Sequence, residues 1–416
     1  MALLSGRRIA RTVACLGVML GLQAFAPPTA ALPAPAIHVG LLGPFGSEGD
    51  LGWGAAIIRG SKAAQLAVNE AGGILGREVA LDRGDTSGEV EEAGPMINKL
   101  IGINHAVAIV GPTTAVEYYA VRPIFTQSQV PDLMQGGDVS LDHETDPFFW
   151  RDRPSDSVAG VAMALYARRL GYARGAIMML AGQASDTLTK GSLTQTFRKL
   201  GGTIVADVVI QPMQSYGADA LRVINARPDV IFTGTDSLSA GLIFASFREM
   251  VNLAIPFIGT DMTAGDDYLQ AITYQVAHDH LISVAGAPLP HRGTFRQYYY
   301  RLFPGQEPPA NAAYAYDAVI SVALAIDRAG SADGPQINAA MTMVTNPPGT
   351  PCADYADCLR LLRAGTKITY EGAAGSLAYN RYHNVFGVYG ALRADPRGSL
   401  QWIAIMSDAE LAEASP

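Results

Sequence analysis

The sequence predicts an α/β protein of two units, each a parallel sheet covered by helices. Short apolar runs that end in glycine or aspartate alternate with longer stretches of helical periodicity, and the alternation runs through twice. Paired glycines, Gly72-Gly73 and Gly201-Gly202, close two of the helical stretches. The chain has 416 residues, 49% hydrophobic and 16% charged, which suits two or three domains with large cores and excludes a disordered chain.

In the first unit, residues 37–42 read as a strand, followed by a glycine-rich loop over 43–54. Residues 56–71 carry Gly60, Ala63, Ala64, Ala67 and Val68 at helical spacing, and Gly72 with Gly73 stops that helix. A short strand at 79–81 runs out at Asp85, a helix spans 89–101, and a buried-type strand at 106–110 ends in Gly111 and Pro112. This βαβαβ order implies a parallel sheet. The second unit reads as helices at 158–170, 188–200, 218–226 and 239–250, interleaved with strands at 175–180, 203–210, 230–232 and 256–258. After about residue 285 the pattern changes. A tyrosine-rich helix at 293–303 and a long helix at 311–329, stopped by Gly330, precede strands within 376–405. Helices that arrive after a complete second unit most economically return to cover the first. The expected lobes are therefore 37–153 with 285–370, and 154–284 with 371–405, leaving 406–416 as a C-terminal tail.

The first 36 residues read as an address. Arg7, Arg8 and Arg11 precede an uncharged apolar stretch over 13–25, and small residues around Ala31 and Ala36 offer cleavage sites. That order is a secretory signal peptide, with a short N-terminal anchor as the alternative; the apolar run is too short for a span. No later run reaches the roughly 18 apolar residues a span needs, so a soluble periplasmic protein is expected. The formal net charge is -8, and the three leader arginines are the only charges in that segment. An acidic chain without a basic run argues against nucleic acid and anionic membrane surfaces as partners.

Three cysteines are present, and loss of the leader removes Cys15. Cys352 and Cys358 remain, and a pair in an exported protein points to a disulfide, two free thiols being the other reading. Six residues of continuous helix would separate the Cα atoms by about 9 Å, beyond disulfide reach, so a bonded pair excludes one straight helix there. No metal and no cofactor is expected.

Several segments together resemble the type I periplasmic binding proteins of the leucine/isoleucine/valine-binding kind. Val39-Gly40-Leu41-Leu42-Gly43-Pro44 is similar to that family's first strand and loop. Trp53 lies seven residues before Gly60, on a helix continuing through Val68-Asn69-Glu70-Ala71-Gly72-Gly73. The strand at 107–112, Tyr314-Ala315-Tyr316-Asp317-Ala318-Val319, and Tyr370-Glu371-Gly372-Ala373-Ala374-Gly375-Ser376-Leu377 follow in the family's order. The resemblance covers about residues 37–405. It implies two doubly wound lobes joined by a hinge, closing like a flytrap on a small ligand as the receptor of an ABC importer. The implied partners are that ligand, an amino acid or related compound, and an inner-membrane permease, the receptor itself being a monomer.

Ligands of open α/β sheets bind beyond the carboxyl ends of the strands. In the resemblance Trp53 matches a position packed on the ligand; ordinary packing is the other reading. The loop Gly111-Pro112-Thr113-Thr114-Ala115 stands where relatives give a hydroxyl and backbone N–H groups to a carboxylate, with Ala115 on or beside the usual serine. Gln135-Gly136-Gly137-Asp138 offers backbone groups, but its aspartate would repel a carboxylate. Leu188 and Thr189 replace an aromatic residue. Asp236 stands where relatives present another contact, and Asp261 matches the acid that holds a ligand ammonium; helix capping is the alternative for both. Three acids without an obvious cation favour a neutral, hydroxylated or cationic ligand.

Two other classes stand against this reading. No nucleophile elbow, phosphate loop or triad is present, which argues against an enzyme. His278-Asp279-His280 would put two imidazoles on one face of a strand, without a third ligand. A ligand-sensing periplasmic module that signals through a separate partner is the alternative to import.

Overall fold

The computed structural model describes residues 34–46, 53–180, 184–212, 215–287, 293–309 and 311–416. The first part holds β1 (Ile37–Gly43), α1 (Trp53–Glu70), β2 (Val79–Asp85), α2 (Val90–Gly102), β3 (Ala108–Val110), α3 (Ala115–Ser128), β4 (Asp132–Met134) and β5 (Phe149–Arg151). These strands pair in parallel in the order β2-β1-β3-β4-β5. The middle part holds α4 (Asp156–Arg169), β6 (Arg174–Leu180), α5 (Ala184–Lys199), β7 (Thr203–Ile210), α6 (Gly217–Asn225), β8 (Val230–Gly234), α7 (Ser237–Val251), β9 (Phe257–Gly259), α8 (Asp266–Ile272), α9 (Tyr274–His280) and β10 (Leu281–Gly286). Its parallel strands run β7-β6-β8-β9-β10, which repeats the order of the first sheet.

The last part holds α10 (Phe295–Leu302), α11 (Ala312–Ala329), α12 (Gly334–Thr345), β11 (Thr350–Cys352), α13 (Tyr355–Arg363), β12 (Ile368–Tyr370), β13 (Tyr389–Ala394), β14 (Leu400–Met406) and α14 (Asp408–Ala414). β13 and β14 extend the second sheet antiparallel at its β10 edge. Helices α10 to α13 share a core with α1 and one face of the first sheet, while α2 and α3 cover the other face. The second sheet is sandwiched likewise, by α4, α5 and α14 on one side and α6 to α9 on the other. The chain thus passes between the sheets after β5, after β10 and after β12. Burial on both faces explains why strands such as β8 read as unbroken apolar runs.

Several expectations need correction. The loop after β3 ends at Thr114, which caps α3 over residues 115–128, and the three-residue strands β4 and β5 add two elements to the βαβαβ pattern. Residues 376–388 hold no strand of their own, apart from two isolated bridges. Residues 406–416 are not a tail: β14 runs to Met406, and α14 buries Leu411 and Ala414 behind a capping box from Ser407 and Glu410. His278 and His280 lie on α9, not on a strand, and the His278 ring is spent on the Ala394 carbonyl at 2.8 Å. Among the described residues no group of three or more His, Cys, Asp or Glu is arranged for a metal, and no helix is long and apolar enough to cross a membrane.

Cys352 and Cys358 are bonded, with Cα atoms 5.4 Å apart. Cys352 ends β11 and Cys358 lies in α13, so the break between them satisfies the condition that no single helix contain both.

Gly60 shows how tightly the returning helices pack. A Cβ there would stand 2.1 Å from the Ala312 carbonyl oxygen, at the contact of α1 with α11. Alanine normally favours a helix over glycine by up to about 1 kcal/mol, but here it must push two helices apart, which costs about 1–3 kcal/mol. Gly60→Ala is therefore expected to lower the thermal midpoint; an unchanged or raised midpoint would show that the helices yield.

Candidate functional site

Two loops at the carboxyl edge of the first sheet carry candidate residues. After β3, Thr113 is half-buried, Thr114 is exposed as the N-cap of α3, and Ala115 opens that helix with its side chain buried. After β4, buried Gly136 and Gly137 lead to Asp138, whose carboxylate accepts the Ser140 N–H at 2.8 Å. The loops are tied together by the Gln135 N–H, which donates to the Pro112 carbonyl at 3.0 Å.

The first crossing brings the second lobe against these loops. The Asp156 N–H, at the start of α4, donates to the Gly137 carbonyl at 2.7 Å. A Cβ on residue 137 would lie 2.2 Å from an Asp156 carboxylate oxygen, so only glycine leaves that carboxylate where it is. Arg153 Nη2 stands 3.7 Å from Asp156 Oδ1. Burial raises the Asp156 pKa; Arg153 and Arg151 oppose this, and the charges of Asp261 and Asp138 reinforce it. Asp261 is exposed beyond β9 and accepts the Met262 N–H at 3.0 Å. The same fields reach two phenols. Burial pushes the Tyr314 hydroxyl up to about 12, opposed by Arg153 and reinforced by Asp317 and Asp261. Burial also holds Tyr389 well above its ordinary value. Its hydroxyl donates to the Ser155 carbonyl at 3.4 Å.

The structure therefore groups Gly136, Gly137, Asp138 and Asp261 with four residues that sequence reasoning missed: Arg153, Asp156, Tyr314 and Tyr389. Arg153 corrects the expectation that no cation is present. Arg153 and Asp156 carry no motif signal, because they sit on a crossing; Tyr314 was visible only as part of a helix pattern. Asp236 is committed elsewhere, since it caps α7 and its two oxygens accept the Ser239 N–H at 2.9 Å and the Ser239 hydroxyl at 2.8 Å. Partial burial raises its pKa, but these bonds outweigh that and hold it low. Trp53 opens α1, and its side chain lies outside the described residues, as does that of Leu188. Thr189 is within α5, its hydroxyl spent on the Asp156 carbonyl at 3.1 Å.

Two buried carboxyls mark the root of the crossings. Asp317 accepts the Tyr370 hydroxyl at 2.7 Å and the Ala373 and Ala374 N–H groups at 2.8 Å each. Asp152 accepts the Tyr379 hydroxyl through one oxygen, and its other oxygen has no hydrogen-bond partner. Both line a narrow crevice with Tyr314 and Ser376. Burial pushes Asp152 up to about 7, opposed by Tyr379 and reinforced by Asp317. Burial pushes Asp317 to about 7 as well, against the three bonds it accepts.

Residues 36–357 match the family described as periplasmic binding protein. The chain belongs to that family. It is 23% identical over 329 residues to an amino acid binding protein of Pseudomonas aeruginosa, covering 71% of this chain and 80% of that one. It is 24% identical over 278 residues to the Leu/Ile/Val-binding protein BraC3 of Rhizobium johnstonii, covering 60% and 70%. The fold matches a putative branched-chain amino acid ABC transporter from Rhodospirillum rubrum with a TM-score of 0.72 at 16% identity, over 88% of this chain and all of that one. The two-lobed type I architecture expected from the sequence is thus the observed one. Periplasmic binding proteins of this family hold solutes outside the cytoplasm and do not transform them, so the chain is a binding protein and not an enzyme.

The crossing carboxyls of this binding protein give its stability a pH dependence. In an unfolded chain an aspartate titrates near about 4. A carboxyl pKa raised to about 7 stabilises the fold below the unfolded value, and that contribution is lost as pH rises through the folded value. The contribution of Asp152 and Asp317 to the thermal midpoint should therefore fall between pH 5 and pH 8. Asp152→Asn, which keeps the bond from Tyr379, should flatten the slope; an identical slope in the variant would show that Asp152 titrates normally.

Proposed function

We propose that the protein is the periplasmic substrate-binding receptor of an ABC importer. It captures a small polar ligand, an amino acid or a related compound, between its lobes by hinge closure and passes it to an inner-membrane permease. Lobes of 37–153 with 285–370 and 154–284 with 371–405, and a cleaved leader over the first 36 residues, belong to the same proposal, as does a monomeric receptor.

The observation that carries this reading is the contact of Gly137 with Asp156. It joins the strand-end loops of one sheet to the start of the other lobe, where a parallel sheet places ligands. Family membership supports the role, and relatives named for amino acids support the ligand class. Thr113, Thr114, Ala115, Gly136, Gly137, Asp138 and Asp261 line the proposed cleft, together with Arg153 and Asp156. Trp53 completes the proposed ligand set, while Asp236 is held as the cap of α7. A cleft between lobes buries most of a small ligand, and closure gives a permease a shape to read.

Protein purified from the periplasm and screened by thermal shift against amino acids, amides, polyols, polyamines and small aromatic acids should show one responding class. Asp261→Ala should abolish that shift while leaving the ligand-free midpoint within about 1 °C. Deleting the neighbouring permease should abolish uptake of the same compound. Uptake intact with loss of gene induction would instead make the protein a sensor.

A further inference from the structure

Glu117 is buried on the first turn of α3, three residues after the cap Thr114, and 2% of it is exposed. Thr-x-x-Glu is the pattern of a capping box, in which the glutamate would return to the cap backbone. Here the carboxylate takes side-chain hydroxyls instead. It accepts from Thr86 Oγ1 at 2.8 Å, from Thr114 Oγ1 at 3.0 Å and from Thr113 Oγ1 at 3.3 Å. A threonine hydroxyl has one proton to give and two lone pairs to offer. With their protons committed inward, Thr113 and Thr114 have only lone pairs left. Thr114 already uses one of these on the Glu117 N–H at 3.2 Å.

Resting on the reading of the interlobe cleft as the ligand site, we propose that Glu117 determines which ligands it accepts. By taking the hydroxyl protons of Thr113 and Thr114, it leaves the side chains of the loop after β3 as hydrogen-bond acceptors. The ligand group that meets the loop is then a nitrogen donor, an amine or an amide, and not a carboxylate. A carboxylate would bring acceptor against acceptor and leave lone pairs unmatched in a confined site. The negative charge of Glu117 on the first turn also neutralises the helix end that would otherwise attract an anion. The surrounding rim agrees in sign, with Asp138, Asp156 and Asp261 against Arg153.

The test uses pairs that differ only at one end, such as leucine and leucinamide, or benzoate and benzamide, with the matching amines as a third arm. Binding is measured by calorimetry on the full mature protein. The wild type should prefer the nitrogen-terminated member of a pair by at least tenfold, and the amine and amide arms tell the two donors apart. In Glu117→Gln the side-chain amide donates to a threonine oxygen and frees that hydroxyl proton for the cleft. The preference should shrink by at least tenfold or reverse. Thr113→Val, a change at a half-exposed position, should weaken the nitrogen-terminated ligand at least fivefold and leave the carboxylate unchanged. The proposal is overturned if the wild type binds the carboxylate member as tightly as its partner. It is equally overturned if both variants, with unchanged thermal midpoints, lose both members to the same extent. A folded wild type that binds no member of any pair removes the cleft reading itself, and this inference with it.

Discussion

In a parallel sheet every strand releases its outgoing loop at the same edge, and the backbone groups at that edge have no further strand to pair with. The first sheet gathers the ends of β1, β3 and β4 there. The crossing after β5 then starts α4 against that edge, through the bond from the Asp156 N–H to the Gly137 carbonyl. Both sheets share one strand order, so the middle unit offers an equivalent edge beyond β8 and β9. The proposed site follows from this geometry: two sets of loops, built for unrelated local reasons, are brought together because the chain crosses where its strands end. Gly137 is small for that reason, and the charges of Asp138 and Asp261 reach Asp156 for the same one.

The long elements were legible because their periodicity is strong. The helix over 312–329 and the strands over 37–43 and 203–210 were found within about one residue, since burial imposes a regular pattern over many residues. Three-residue strands such as β4 and β5 carry too few positions to show a period. α3 carries a sharp start signal, Thr114 followed by Glu117, but also an internal Pro123 that weakens its helical pattern. The histidine pair follows a helical and not a strand period: on α9, residues two apart do not share a face.

The site was only half legible, for a physical reason. Loop glycines and strand-end aspartates advertise themselves in sequence, but the partners that complete them come from another segment. Nothing near Gly137 in the chain points to Asp156 or Arg153, and nothing near Thr86 points to Glu117. Pairing also decided roles that residue type left open. Asp236 and Asp261 look alike as strand-end acids, yet both oxygens of Asp236 are bound by Ser239 while Asp261 stays exposed. Thr113 and Thr114 look like donors until the carboxylate behind them is seen. The proposed cleft would therefore suit an anion less than its glycine-rich loops suggest.

The central claim is that a small ligand sits between the strand-end loops of the two lobes. A crystal structure of the protein with whichever compound the binding screen selects tests it most directly. The account predicts ligand atoms within hydrogen-bond distance of Thr113 on one lobe and Asp261 on the other, with the lobes closed around them. A ligand seated on one lobe alone, or away from both loops, would contradict it.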